Sequence, residues 1–198
     1  MERGELLKRI DNIKKEFATI SMKEITNSKN NFLKIRKYQC ILKNSQILNR
    51  EKIEKGGSDG SAVVIVALLE NNEAIIIVQP RVFSKSQVGV EIPAGYIDYG
   101  ETPLQAAKRE LKEETGYVAK KWVHLKEFYQ DQGISGALNH CYLALNCVHK
   151  YSQELDKDEY INYLTCSFDD LCFLVDDGII NDANGIIAIM EAKRFLGR

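Results

Sequence analysis

The side chains best suited to chemistry crowd into one stretch that holds Gly95, Glu101, Arg109, Glu110, Glu113, Glu114 and Gly116. At about 100° per helical residue, Glu110 and Glu114 would lie roughly 40° apart with Glu113 alongside. Three carboxylates then share one helix face. Like charges at this spacing weaken a helix by about 0.2–0.5 kcal/mol. Arg109, one turn before Glu113, offsets part of that cost, and a cation among the acids would relieve the rest. Clustered carboxylate oxygens suit Mg²⁺ or Mn²⁺, which bridge to phosphate. The competing reading is a solvated acidic face, the usual fate of three glutamates on a helix.

Local signals define the helix that would carry these acids. Thr102 is a good N-cap, Pro103 suits the first helical position, and Glu101 lies at the positive end of the dipole. Gly116 stands where a left-handed C-terminal cap needs glycine. The spacing therefore predicts a helix over Pro103–Thr115. Leu104, Ala107 and Leu111 form an apolar stripe roughly 100° around from the acids, which would anchor the helix while the acids face a cleft.

Around this segment the pattern predicts an amphipathic helix over residues 2–20, with Leu6, Leu7, Ile10, Ile13 and Phe17 on one face. Strand-like stretches follow at 32–42 and 47–53, with a turn at Asn44 and Ser45. The run Gly56-Gly57-Ser58-Asp59-Gly60 is the clearest hinge. The apolar runs 62–69 and 74–78 suit strands buried on both faces. Further strands are expected at 88–92, 122–129, 140–147 and 160–166, and closing helices at 168–175 and 183–196. Interleaved strands and helices imply an α/β protein with a mixed sheet and flanking helices.

Bulk properties narrow the function. A formal net charge of -1 gives no basic field for nucleic acid. No apolar run reaches the length of a membrane span, and Met1–Arg9 hold no stretch like that of a signal peptide. The five cysteines form no C-x-x-C pair and read as reduced, mostly buried thiols of a cytoplasmic protein. His124, His140 and His149 lack metal-ligand spacing and read as structural or exposed.

The stretch from Gly95 to Tyr117 resembles the Nudix box, G-x5-E-x7-R-E-U-x-E-E-x-G-U, at every fixed position, with Leu111 and Tyr117 in its hydrophobic places. Within that superfamily the chain looks most like the ADP-ribose pyrophosphatase group. The lead Val90–Gly95, the strand end Gln79-Pro80-Arg81 and the acidic run Leu155–Ile161 carry this likeness. It departs from the group at Gln132, where many members have proline, and at Lys157, where a second acid is common. Asp156 or Asp158 could substitute as a distal base.

The resemblance implies a Nudix-type α/β/α sandwich over 58–198, plus an N-terminal helix and β-appendage over 1–57 whose residues 25–57 would build a homodimer. It implies Mg²⁺ as cofactor, with Mn²⁺ able to substitute, held by Glu110, Glu113, Glu114, Glu159 and the Ala94 carbonyl. Glu113, Arg109 and Glu110 would be catalytic, with Arg109 orienting Glu113. Arg81 and Glu91 would bind substrate; Arg81 is otherwise a strand-end arginine and Glu91 a strand-edge acid. The expected partner is a small nucleoside-diphosphate compound, with no nucleic acid and no membrane. The best candidate reaction converts ADP-ribose to AMP and ribose 5-phosphate. A nucleotide sugar or dinucleotide is the alternative substrate. A nucleotide-sensing module without turnover is the alternative of another class, and the intact acid set argues against it.

Overall fold

The computed structural model describes residues 1–23, 32–55 and 59–198. Residues 56–58 of the expected hinge, with the 57/58 domain boundary, and residues 25–31 of the expected dimer segment lie outside the described residues.

The elements run α1 (Arg3–Glu16), β1 (Leu33–Ile41), β2 (Ile47–Lys55), β3 (Ala62–Leu69), β4 (Glu73–Pro80), β5 (Val88–Glu91), β6 (Ala94–Tyr96), α2 (Pro103–Thr115), β7 (Tyr117–Tyr129), β8 (Leu138–His149), β9 (Asn162–Ser167), α3 (Phe168–Asp176) and α4 (Ala183–Leu196). The unbroken apolar run of β3 has a structural cause: both its faces are covered. Val63, Ile65 and Ala67 pack with Ala106, Ala107 and Leu111 of α2. Val64, Val66 and Leu68 point the other way, into a core with Leu6 and Ile10 of α1, Leu171 of α3 and Ile189 of α4. Successive side chains alternate across a strand, so one strand feeds two cores and the molecule is an α/β/α sandwich.

The sheet order is β5-β4-β3-β8-β7, with β6 on β3 and β9 on β4. β3 and β8 are parallel and the other pairs antiparallel, which makes the sheet mixed. β3 and β4 pair at Leu68↔Ala74, next to their connecting turn, and then take different partners. β4 goes on to β5 and β9, while β3 goes on to β6 and β8. The segment from β5 to β6 bridges the two, and Pro93 accepts from the Ile65 N–H at 2.8 Å. The start of the box stretch is thus tied to the centre of the sheet.

β6 was not expected, and β7 begins directly after the cap glycine rather than at Trp122. β1 and β2 form a separate two-stranded antiparallel hairpin, and every residue of β1 is exposed. The hairpin meets the main body where the Ile53 N–H donates to the Ile134 carbonyl and where the Phe32 ring lies edge-on to Tyr96, 5.6 Å between centroids.

Candidate active site

α2 is pinned at both ends. Thr102 and Gln105 form a reciprocal capping box, and Gly116 takes a left-handed conformation at φ 73°. A Cβ on Gly116 would also strike the Tyr151 carbonyl, because the chain after β8 folds tightly over this helix end. There the Lys150 and Tyr151 N–H groups donate to Gly116 O, and the Glu154 N–H to Glu113 O. The Gln153 amide donates to Glu114 O at 2.6 Å. These bonds satisfy carbonyls that a helix terminus leaves open. They also draw the acidic run Asp156–Glu159 toward the glutamates of α2.

Glu110, Glu113, Glu114, Asp156 and Glu159 all line one cavity of about 260 Å³. Glu114 is the deepest, 3% exposed, and accepts from the Ala94 N–H at 3.1 Å. Burial first, then the neighbouring Glu110 and Glu159 charges, push its carboxyl well above the usual carboxylate range. Burial also pushes Glu110 up to about 7, against the pull of the adjacent Arg109 guanidinium. A Cβ on Gly95 would overlap the Glu110 carboxylate, so the missing side chain lets that carboxylate lie directly against β6. The Glu159 carboxylate turns back on its own loop and accepts from the Asp156 N–H at 3.1 Å.

Arg109 donates to protein groups on every side. It grips Glu101 through two nitrogens at 2.9 and 3.1 Å, Glu110 at 2.7 Å, Glu113 at 3.0 Å and the Tyr96 carbonyl at 2.9 Å. The Glu101 bonds lead the causes that raise its pKa. Arg109 thus fixes both Glu110 and Glu113, and Glu101 fixes Arg109.

Beside the acidic cavity lies a wider cleft of about 620 Å³. Arg81, Ala94, Gly95 and Tyr96 line both spaces. Arg81 forms a two-pronged pair with Glu91, both bonds 2.7 Å, and Gln79 adds a third bond to Glu91 at 3.1 Å. Gly89 leaves room for this pair, since a Cβ there would overlap Glu91 and press on Arg81. Phe83 stands 92% exposed at the edge of the cleft.

Two contributors to the region escape a reading of the sequence. Gln153 fastens the acidic loop through a long-range bond with no motif behind it. Asp182 caps α4 by accepting from the Gly185 N–H at 2.7 Å and lines the wider cleft. Its second oxygen is buried without a hydrogen-bond partner among the described residues, and burial raises its pKa. The capping pattern is visible in the sequence, but the cleft position is not.

Chemically, the acidic cavity is an all-oxygen donor set suited to a hard divalent cation. Both guanidiniums on its wall are already paired with glutamates, Arg81 with Glu91 and Arg109 with Glu101, Glu110 and Glu113. A pyrophosphate would therefore meet repulsion there unless cations intervene.

Comparison with known proteins agrees with this geometry. The NUDIX domain family model matches residues 59–186. An ADP-ribose pyrophosphatase of Bacillus subtilis (strain 168) is 34% identical over 149 residues, 75% of this chain and 78% of that one. A methanol dehydrogenase activator of Bacillus methanolicus is 29% identical over 88% of this chain and 91% of its own length. A crystal structure of an ADP compounds hydrolase shares the fold, with a TM-score of 0.72 and 20% identity over 90% of this chain and 92% of that one. Domain model, relatives and box residues converge: the chain belongs to the Nudix family and is a Nudix hydrolase of the type its ADP-ribose pyrophosphatase relatives represent.

Proposed function

We propose that the protein hydrolyses the pyrophosphate of ADP-ribose to AMP and ribose 5-phosphate, using Mg²⁺ with Mn²⁺ as a substitute. The observation that carries this reading is the joining of an acidic cavity to a wider cleft edged by Arg81 and Phe83. A bipartite ligand fits such a space: its diphosphate by the acids, its nucleoside in the cleft.

Glu110, Glu113, Glu114, Glu159 and the Ala94 carbonyl would hold the metal. When bound, it would neutralise the diphosphate and acidify a water for attack on phosphorus. Arg109 keeps Glu110 and Glu113 in place without touching substrate. Glu113 and Asp156, both on the cavity wall, are the acids positioned to accept the water's proton. Glu91 holds Arg81 flat at the boundary of the two spaces, where its guanidinium can face a phosphate or lie against a base.

Two wider expectations belong to this proposal. The exposed hairpin β1–β2 supports a homodimer. Four buried free cysteines suit a reducing compartment such as the cytoplasm. Among the described residues no helix is long and apolar enough to cross a membrane.

The test is a substrate panel with Mg²⁺. ADP-ribose should give AMP and ribose 5-phosphate faster than nucleotide sugars or dinucleotides, and a chelator should stop the reaction. Faster cleavage of a nucleotide sugar would transfer the assignment to that class. Tight binding of every compound without turnover would make the domain a sensor.

A further inference from the structure

We propose that His124, Glu127 and His140 form a second metal site, for a transition-metal ion such as Zn²⁺, on the β7–β8 hairpin. None of the three lines the carboxylate cavity.

Strand register brings them together. Glu127 lies opposite His140, and His124 lies opposite Tyr142. His140 and Tyr142 are two apart and share a sheet face. His124 and Glu127 are three apart and in a regular strand would point to opposite faces. The register shifts between His124 and Lys126, and this bulge returns Glu127 to the face of His124. The same bulge sends Lys126 to the other face, where its ammonium bonds Glu191 of α4 at 2.6 Å. Two imidazoles and one carboxylate are left converging.

Their spacing fits a small tetrahedral ion. Glu127 Oε1 lies 3.0 Å from His140 Nδ1 and 3.6 Å from His124 Nε2. All three ligand atoms fall within 4.8 Å of one another. Metal–nitrogen bonds of about 2.0–2.1 Å at tetrahedral angles put ligand atoms about 3.3 Å apart. The two edges that meet at Glu127 straddle that value. Packing also holds the rings. The His140 side chain is 14% exposed, and the His124 ring stands edge-on to Tyr142 at 5.2 Å. Tyr142 in turn meets Trp122 edge-on at 6.2 Å. Glu127 is 47% exposed and leaves a side open for water as a fourth ligand.

The donor chemistry separates this site from the other. Two nitrogens and one oxygen suit zinc, copper or nickel, whereas the box cavity offers oxygen alone, as magnesium prefers. Its place in the fold suggests what it would do. It ties together the two strands flanking the loop that carries Gln130, which lines the wider cleft, and Ile134, whose carbonyl receives the Ile53 N–H of the appendage. An ion there would brace the hairpin that supports both.

The experiment is equilibrium dialysis of the full chain against micromolar Zn²⁺ with millimolar Mg²⁺ present to fill the oxygen site. One zinc per chain is expected. His140→Gln and His124→Gln should each weaken it about 10-fold or more, since even outer-shell losses weaken a site by that much. Glu114→Gln should retain it. Co²⁺ should give visible absorption bands in the wild type that the histidine variants lose. Melting temperatures without metal check the fold; if His140→Gln fails to fold, the more exposed His124→Gln carries the test. No zinc bound in Mg²⁺, unchanged affinity in the folded histidine variants, or loss of zinc in Glu114→Gln instead would overturn the site. The three side chains would then be a hydrogen-bonded cluster that needs no ion.

Discussion

Arg109 is bonded to protein through each of its three guanidinium nitrogens, whereas Glu114 is buried in the wall of an acidic cavity. That contrast sets the expectations for substitution. Glu114→Gln keeps the shape and an oxygen to accept from Ala94, but removes a charge. Turnover should fall about 100-fold or more with the circular dichroism spectrum unchanged; near-normal turnover would move the metal elsewhere. Glu110 gives a prediction in pH. Its folded pKa is raised to about 7 from an ordinary 4.5, so the folded state holds the proton longer than the unfolded state. Its favourable contribution is therefore full below about pH 4.5 and is lost as pH rises toward about 7. Glu114 shifts in the same direction. In chelator, the melting temperature of Glu110→Gln should fall less than that of the wild type across this window. Mg²⁺ should restore the wild type above it by favouring the charged carboxylates. Equal slopes in the two proteins would contradict the assigned burial.

At the scale of elements, the meeting of β6 with α2 is the most sensitive joint. Gly95→Ala drives a methyl group into the Glu110 carboxylate. Turnover should drop at least 10-fold, comparable to an outer-shell loss, and the Mg²⁺ needed for half-maximal rate should rise. Wild-type values in both would show that β6 can give way freely. The same joint marks where sequence reading stops. α2 is legible because both caps and its apolar stripe are local: Thr102, Pro103 and Gly116 define it without reference to the rest of the chain. β3 is legible as a strand because eight apolar residues in a row suit burial on both faces. β6 is not, since three residues form a strand only where the edge of β3 is offered to them. The acids of α2 can be grouped on one face from helical spacing alone. The nearness of Asp156 and Gln153 cannot, because a loop folded over the end of α2 produces it. Nor can the grouping of His124, Glu127 and His140, which depends on register and on one bulge.

For the whole molecule, the hairpin is the unbalanced part. A two-stranded ribbon is marginal by itself, yet Leu33, Ile35, Ile41 and Ile47 are more than half exposed. A second copy of the chain would cover them. Light scattering at micromolar concentration should give twice the 22.5 kDa chain mass. Replacing Ile35 and Ile41 together with glutamate should return the single-chain mass with the Nudix core still folded. A wild type that runs at the single-chain mass would defeat the dimer. The edge-on contact of Phe32 with Tyr96 then gains a kinetic meaning, because Tyr96 belongs to the walls of both cavities. A hairpin steadied by its twin would hold that aromatic wall firm, and a solitary hairpin would let it wander. Dilution would lower turnover per chain, so the cell's supply of this protein would set the quality of each catalyst as well as the number of them.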